Sequence, residues 1–205
     1  MRRTANRRFH RALRPMLFAA AALAAAPAAA EDNETAHPWF VGVFGGFGLN
    51  TSFSQIFVNP FGMSRTEDYI AVVTVGREVG RVFDRRLSFE LEGMYAYHFG
   101  RQEFHEFSTT VYARWHRFPW NRSIDTTLAF GIGPRYVTEE PLMETDKGWH
   151  SKILNQLNVE ITGALPEYPD DQLVIRLQHR SGIFGLIDGV RDGSNFVTLG
   201  YKRYF

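Results

Sequence analysis

The sequence LVIRLQHRS, residues 173–181, decides the fold because its apolar and polar side chains alternate. Successive side chains on a β-strand point to opposite faces, so one face of this segment is apolar until it ends in His179 and Ser181. The other face carries mainly Arg and Gln. Two residues apart on a strand, His179 and Ser181 point the same way, about 7 Å apart at Cα. A base and a nucleophile can meet at that spacing.

Other segments of the chain carry similar strand signals. The predicted strands are about residues 39–49, 68–80, 86–99, 103–117, 123–135, 151–164, 173–181 and 195–205. The third is the clearest, with Leu87, Phe89 and Leu91 on one face and Glu90 and Glu92 on the other. The first two alternate poorly, so the sequence does not assign their faces.

The long strands favour a membrane barrel over a soluble sandwich, which would also alternate with its apolar face inward. Tilted membrane strands have about 9–11 residues or more, as these do. Aromatic residues such as Trp39, Phe99 and Trp115 collect near strand ends, where the interfacial girdles of a barrel lie. The chain also ends in Phe205, after an alternating strand. We therefore predict an all-β fold, an eight-stranded antiparallel transmembrane β-barrel of the outer membrane.

The first thirty residues have the pattern of a secretory signal peptide. Six arginines and no acidic residue precede a short apolar run, and small residues follow it up to Ala30. We expect cleavage after Ala30, with residues 31–205 forming a single barrel domain in the bacterial outer membrane. Removing the six arginines changes the formal charge from +1 to −5, which argues against a nucleic-acid partner. The chain has no Cys, so it has no disulfides.

The predicted connections alternate between short turns and longer loops, apart from a short link at residues 100–102. Outer-membrane barrels have short periplasmic turns and longer outer loops. This pattern places both chain ends at the inner rim. Eight strands enclose a lumen that side chains fill, so a pore is not expected. The residues predicted to form a buried polar network there are Glu90, Glu92, Glu106, Glu160, Arg114 and Arg176.

In this arrangement the apolar face of residues 173–181 points to lipid, and His179 and Ser181 lie on the outer wall near the outer rim. A polar pair on a lipid-facing wall is costly unless it has partners or a function. The alternative is that both are ordinary residues of the head-group layer. Spacing alone does not decide between these two interpretations.

The chain resembles the PagL-type lipid A 3-O-deacylases, small outer-membrane barrels that act as esterases on lipopolysaccharide. The resemblance is carried by His179-Arg180-Ser181, which matches the family's H-x-S, by Tyr201-Lys202 and the terminal Phe205, and by the eight-strand plan. It implies Ser181 as the nucleophile and His179 as the general base. It also implies lipid A as the substrate, within a membrane of outer-membrane lipids, and no metal or cofactor.

The chain departs from this family at two positions. The family's third catalytic residue, a Glu early in the last strand, corresponds to Asn195, and its Asn after the Ser is Gly182. Asn can orient a His, as it does in Cys-His-Asn proteases. Asp192 or Asp188 in the preceding loop could instead orient His179. Free backbone N–H groups of that Gly-rich loop could form an oxyanion hole.

The sequence therefore predicts an outer-membrane lipid A deacylase with Ser181, His179 and Asn195 as its catalytic residues. The alternative is a non-catalytic small barrel with a structural or adhesin-like role, for which the modest loops offer little support. A palmitoyltransferase-like barrel would hold an acyl chain in its lumen, and charged lumen faces argue against that. The acyl position, the chain-length preference and the existence of a homodimer are left open.

Overall fold

Within residues 38–205, which the computed structural model describes, the chain forms a closed antiparallel barrel of eight strands. The strands are β1 (Trp39–Leu49), β2 (Arg65–Val82), β3 (Leu87–Gly100), β4 (Phe104–Trp115), β5 (Asp125–Val137), β6 (Ile153–Ala164), β7 (Asp171–Ser181) and β8 (Asn195–Tyr204). Each strand pairs with its neighbours in sequence, and β8 closes on β1. The predicted eight-stranded barrel is confirmed. The signal peptide predicted for residues 1–30 lies outside the described residues, as do residues 31–37.

The strand bounds agree with the predictions to within three residues. The largest difference is in β2, which begins at Arg65 because it pairs with Leu49 beyond an irregularity in the β1 register. Short helices occupy two connections: α1 (Phe53–Val58) with a 3₁₀ turn (Pro60–Gly62), and α2 (Leu142–Thr145). In the described residues, no helix has the length and apolar character needed to cross a membrane.

The two rims of the barrel differ in the length of their connections. Residues 83–86, 116–124 and 165–170 form the shorter connections on the rim where Trp39 and Phe205 exchange backbone hydrogen bonds. Residues 50–64, 138–152 and 182–194 form longer connections on the other rim, and residues 101–103 are a short exception there. We refer to the rim with the longer connections as the outer rim, in keeping with barrels of this size. β7 thus runs toward the outer rim and β8 returns from it.

The inner half of the lumen is filled by a balanced set of buried charges. Glu160 accepts hydrogen bonds from Arg114 (2.5 Å), Arg176 (2.9 Å) and Lys202 (2.9 Å), so this carboxylate joins all three cations. Arg176 also donates to Glu92 and Arg114 to Glu90. Buried charges are tolerated only when they are paired and hydrogen-bonded, and here three carboxylates face three cations. Lys202 belongs to this set although the predicted network did not include it.

Glu106 lies in a separate cluster closer to the outer rim. Its carboxylate bonds to His98 and pairs with Arg135, not with Arg114 or Arg176 as the predicted network would require. The reason is register: Glu106 opposes Val137 on β5, one lumen position from Arg135, whereas Glu90 opposes Tyr112. Met143 of α2 joins a lumen cluster with Phe44 and Phe196, so the loop that carries α2 closes the outer mouth.

An apolar belt covers the outside of the barrel. Its members, all more than one third exposed, include Val41, Val43, Val73, Val75, Leu91, Phe130, Ile132, Ile161, Leu173, Ile175 and Leu199. Exposed aromatic residues lie toward both rims, with Trp39, Trp115 and Tyr201 at the inner one and Tyr69 and Phe99 at the outer one. An apolar band flanked by aromatic residues is the surface that a barrel presents to lipid.

Candidate active site

His179 and Asn195 form a cross-strand pair at the outer end of β7 and β8. The two residues are directly opposed in the register. His179 Nδ1 and Asn195 Oδ1 are 2.7 Å apart and hydrogen-bonded. Neither Asp192 nor Asp188, the alternatives from the sequence, is hydrogen-bonded to the His179 ring. Asp192 accepts from Lys147 Nζ (3.1 Å), and Asp188 accepts from Ser151 Oγ (2.7 Å). The residue that orients the His179 ring is therefore Asn195.

The amide of Asn195 fixes which nitrogen of His179 carries the proton. Its Nδ2 donates to the carbonyl oxygen of Thr51 at 2.8 Å, so its Oδ1 must be the atom that faces the ring. An amide oxygen only accepts, and Nδ1 must therefore be the donor. The Nε2 atom is left with a lone pair, which is the form of imidazole that can remove a proton.

Ser181 lies on the same outward face as His179, two residues further along β7, and is partly exposed. Its Oγ accepts a hydrogen bond from the backbone N–H of Ile183 at 3.1 Å. Among residues 38–205, no hydrogen bond joins Ser181 to the His179 ring. The turn that follows is strained, since Ile183 and Phe184 have φ values of 51° and 56°. This turn directs the Ile183 amide back toward the serine hydroxyl.

The segment that carries α1 folds down over the outer wall and covers His179. The ring of Phe53 stacks on the His179 ring with centroids 4.4 Å apart, and Ile56 packs with Leu49 and Leu177. As a result His179 is only 7% exposed although it points outward, whereas Leu173 on the same face is 65% exposed. The sequence predicts only a long connection at residues 50–67, whereas the structure has α1 within it. The apolar spacing of Phe53, Ile56 and Phe57 was the signal of a helix with a packed face.

The outer side of this cover is itself apolar. Phe57, Val58 and Phe61 are more than half exposed, as are Phe184 and Leu186 in the loop after Ser181. These two connections flank His179 and Ser181 and add to the apolar wall around them. A substrate with acyl chains would meet apolar surface on both sides of this pair.

A buried ion pair supports the site from inside the barrel. Arg180, between His179 and Ser181, points into the lumen and pairs with Glu144 of α2. Glu144 also accepts from Ser194 Oγ at 2.8 Å, and Arg180 donates to the Ser151 carbonyl at 2.7 Å. Burial raises the pKa of the Glu144 carboxyl, while Arg180 and Ser194 oppose that rise. These contacts tie β7, α2 and the start of β8 together beneath the site.

Gly182 follows Ser181 at a point where two backbones touch. A Cβ at this position would lie against the carbonyl oxygen and the side chain of Val190, well inside van der Waals contact. Installing the family's asparagine by Gly182→Asn is therefore expected to displace the 182–194 loop and to lower any activity at Ser181. Limited proteolysis of this loop should increase, whereas the matched variant Gly80→Asn, at an open position without a positive φ, should leave it protected. Equal protection in the two variants would contradict the prediction.

In the described part of the chain, there is no group of three or more His, Asp or Glu side chains placed to hold a metal ion. Within residues 38–205, the histidines outside the site have other partners: His98 bonds to Glu106, His105 to Tyr95, His116 to Ser88 and His150 to Glu140.

The fold is shared with small barrels of known structure. The chain is similar to the crystal structure of the outer membrane enzyme PagL, with a TM-score of 0.56 and 14% identity over 80% of this chain and 98% of that one. It also matches Neisserial surface protein A (TM-score 0.48, 13% identity, 82% of this chain and 97% of that one). A third match is the N-terminal β-barrel domain of Pseudomonas aeruginosa OprF (TM-score 0.42, 12% identity, 80% and 97%). At 14% identity the likeness to PagL shows a common barrel fold.

No family model matches the sequence, and no curated protein matches it.

Proposed function

We propose that this protein is a lipid A deacylase of the bacterial outer membrane, which hydrolyses an acyl ester of lipopolysaccharide with Ser181 as nucleophile. The observation that carries the proposal is the His179–Asn195 hydrogen bond on the outward wall, with Ser181 next on the same face. A polar, buried pair of this kind has a cost on a wall that otherwise carries Leu173 and Ile175. Catalysis on a membrane lipid explains why it is there.

The apolar belt supports the membrane location. The exposed outer surface of β1, β2 and β7 is made of Val, Leu and Ile, with aromatic residues toward both rims. The His179 pair lies at the outer end of β7, where a substrate in the outer leaflet would present its ester bonds. The H-x-S motif and the barrel fold in common with PagL favour lipid A over other esters of that leaflet.

The chemistry is acyl transfer through a serine ester. His179 Nε2 takes the proton of Ser181 Oγ, and Oγ attacks the ester carbonyl carbon while the C=O pair moves to oxygen. Collapse of the adduct expels the sugar oxygen, which takes the proton from His179. His179 then removes a proton from water, and the resulting hydroxide adds to the acyl carbon of the serine ester. Collapse of this second adduct expels Ser181 Oγ, which regains its proton from His179, and releases the fatty acid. In the resting site the hydroxyl is bonded to Ile183 N, so it must first rotate to Nε2.

The direct test is mass spectrometry of lipid A from cells with and without the protein in the outer membrane. The expected result is loss of the mass of one acyl chain from lipid A and release of the matching fatty acid. Purified protein in detergent micelles should give the same products from isolated lipid A. Unchanged lipid A in both assays, with the barrel correctly folded, would refute the proposal.

Asn195 should be required because it holds His179 in its Nδ1–H form. Asn195→Ala is expected to reduce the deacylation rate by up to roughly 10⁴-fold, the loss found when the orienting Asp of a Ser-His-Asp triad is replaced. The matched control is Asp192→Asn, which removes a charge bonded to Lys147 and should change the rate no more than a few-fold. A larger loss in Asp192→Asn than in Asn195→Ala would reassign the orienting role to the aspartate.

A non-catalytic barrel is the second candidate, and the bond between Ser181 Oγ and Ile183 N favours it, because that hydroxyl is engaged away from His179. A serine-directed fluorophosphonate probe distinguishes a deacylase from a non-catalytic barrel. An activated Ser181 should be labelled, and labelling should be lost in His179→Ala. A barrel in which the probe never reacts would be a structural or adhesin-like protein.

A further inference from the structure

Asn155 is a second polar residue on the outer wall, directly across from Ser181. It lies on β6, and the register pairs it with Ser181 as it pairs Leu157 with His179. Residues opposed in an antiparallel pair point to the same face, so the Asn155 amide and the Ser181 hydroxyl share the outward face. Directly opposed Cβ atoms are about 4.5–5.5 Å apart, within reach of an Asn side chain.

The side-chain amide of Asn155 has no hydrogen-bond partner within the described residues 38–205. The residue is 9% exposed overall, and its amide atoms are not among the fully buried unpaired atoms, so the amide can be reached from outside the barrel. A polar side chain without a protein partner is costly on a lipid-facing wall, so its presence there calls for an explanation. The neighbouring outward positions on β6 are Ile153, Leu157 and Val159, so an apolar residue would fit the wall equally well. An unpaired amide beside a candidate nucleophile is the arrangement expected of a group that binds a ligand or a reaction intermediate.

We propose that Asn155 is a catalytic residue whose Nδ2 donates a hydrogen bond to the oxyanion formed when Ser181 attacks the ester. This inference rests on the proposed function and adds a residue to it. When Oγ bonds to the carbonyl carbon, the C=O electron pair moves to the oxygen, which becomes negative. Asn155 stabilises that charge by a hydrogen bond and neither gains nor loses a proton. Oxyanion donors act in this way when they are already in place before the reaction.

The residue that follows Ser181 in the sequence cannot provide a side-chain donor. Gly182 has none, and the backbone of Val190 leaves no space for one. The Ile183 N–H is the other donor near the nucleophile, since it lies 3.1 Å from Ser181 Oγ in the resting site. Asn155 from β6 and Ile183 from the turn after β7 therefore approach Ser181 from different elements. Together they would make a two-donor oxyanion hole.

The test compares Asn155→Ala and Asn155→Asp with the parent on isolated lipid A in detergent micelles. Asn155→Ala is expected to lower kcat by about 10²- to 10³-fold, the usual cost of losing one oxyanion donor, with KM changed only a few-fold. Asn155→Asp should be at least as impaired, because a carboxylate has no N–H and repels the oxyanion. The control is Ser123→Asp, at an exposed position in the connection between β4 and β5 at the inner rim, which should keep full activity. Heat-modifiable migration on SDS gels verifies that each barrel is folded.

A transition-state analogue separates a catalytic role from a structural one. An acyl trifluoromethyl ketone adds to Ser181 to form an oxyanion, so its potency should fall in Asn155→Ala in parallel with kcat. The affinity of a non-hydrolysable ether analogue of the substrate should stay unchanged. If the parent is active, Ser181→Ala is inactive and Asn155→Asp retains full kcat, this inference is wrong and the proposed function stands. A folded parent without esterase activity would instead refute the proposed function and this inference with it.

Discussion

Ser181→Ala is expected to remove deacylation, with the rate falling by roughly 10⁴-fold or more, to the background of the assay. The loss should be this large because the hydroxyl is the atom that forms the acyl ester. The methyl group of alanine cannot replace it, and His179 and Asn195 have no role in covalent catalysis without it. The measurement is release of fatty acid from isolated lipid A, together with the mass of lipid A from expressing cells.

A matched serine variant controls for the substitution itself. Ser123 is exposed in the connection between β4 and β5 at the inner rim, on the side of the barrel away from the site. Ser123→Ala should retain the parent rate. If Ser181→Ala were as active as Ser123→Ala, hydrolysis would have to occur at another group, and the assignment of the nucleophile would be wrong.

The fold of the Ser181→Ala variant should be intact. The hydroxyl accepts one hydrogen bond, from Ile183 N, and losing a single bond of this kind costs about 0.5–1.5 kcal/mol. The interstrand pairing of Ser181 uses backbone groups and does not depend on its side chain. Migration of the unheated barrel on SDS gels should therefore match the parent, which separates lost chemistry from lost structure.

The strands were predictable because the pattern that produces them is local. Side chains alternate with a period of two whatever the partner strand is, so Glu90 and Arg176 could be assigned to the lumen without knowledge of the pairing. Both are fully buried. The bounds of β1 were also predicted, although its many glycines hid which face is outward. The alternation of short and long connections gave the direction of β7 and therefore the position of His179 near the outer rim. The apolar face that His179 continues gave its outward orientation.

The partners within the site were less predictable because they depend on register between distant segments. The resemblance gave Asn195 as the partner of His179 but left Asp192 and Asp188 open, and the register of β7 with β8 decides between them. The contact of Asn195 with Thr51 joins residues 144 positions apart, and no local pattern encodes it. The same holds for Asn155, which becomes a candidate only when β6 is aligned with β7. The cover formed by α1 depends on tertiary packing against Leu177.

The lumen network was predicted in its composition and only partly in its connections. Residue type and the alternation of side chains along each strand placed the carboxylates and arginines inside the barrel. Which cation contacts which carboxylate depends on the position of each residue along the barrel axis, and this position is set by the strand register. Glu106 therefore pairs with Arg135, and Lys202 takes a place next to Glu160. In the sequence, Lys202 stands out only as part of the Tyr201-Lys202 motif near the C-terminus. Its position on the lumen face of β8 gives it a physical role in balancing charge.

Glu160→Gln is expected to destabilise the barrel by about 3–5 kcal/mol, the usual cost of removing one partner from a buried ion pair. Glu160 is the carboxylate that meets Arg114, Arg176 and Lys202, so its neutral form leaves one uncompensated positive charge in the lumen. The measurement is equilibrium unfolding by urea in lipid vesicles. The matched control is Glu140→Gln, whose partly exposed pair with His150 should be worth less than about 1 kcal/mol.

Adding Lys202→Met to Glu160→Gln tests whether charge balance is the cause. The double variant keeps Glu90 and Glu92 opposite Arg114 and Arg176, so the inner lumen is neutral again. Lys202→Met alone leaves an excess carboxylate and should destabilise, whereas together with Glu160→Gln it should recover part of the lost stability. Residues in one buried network are coupled by about 0.5–3 kcal/mol, and here the coupling should be favourable. Strictly additive losses in the two variants would mean that packing, and not charge, determines the role of Glu160.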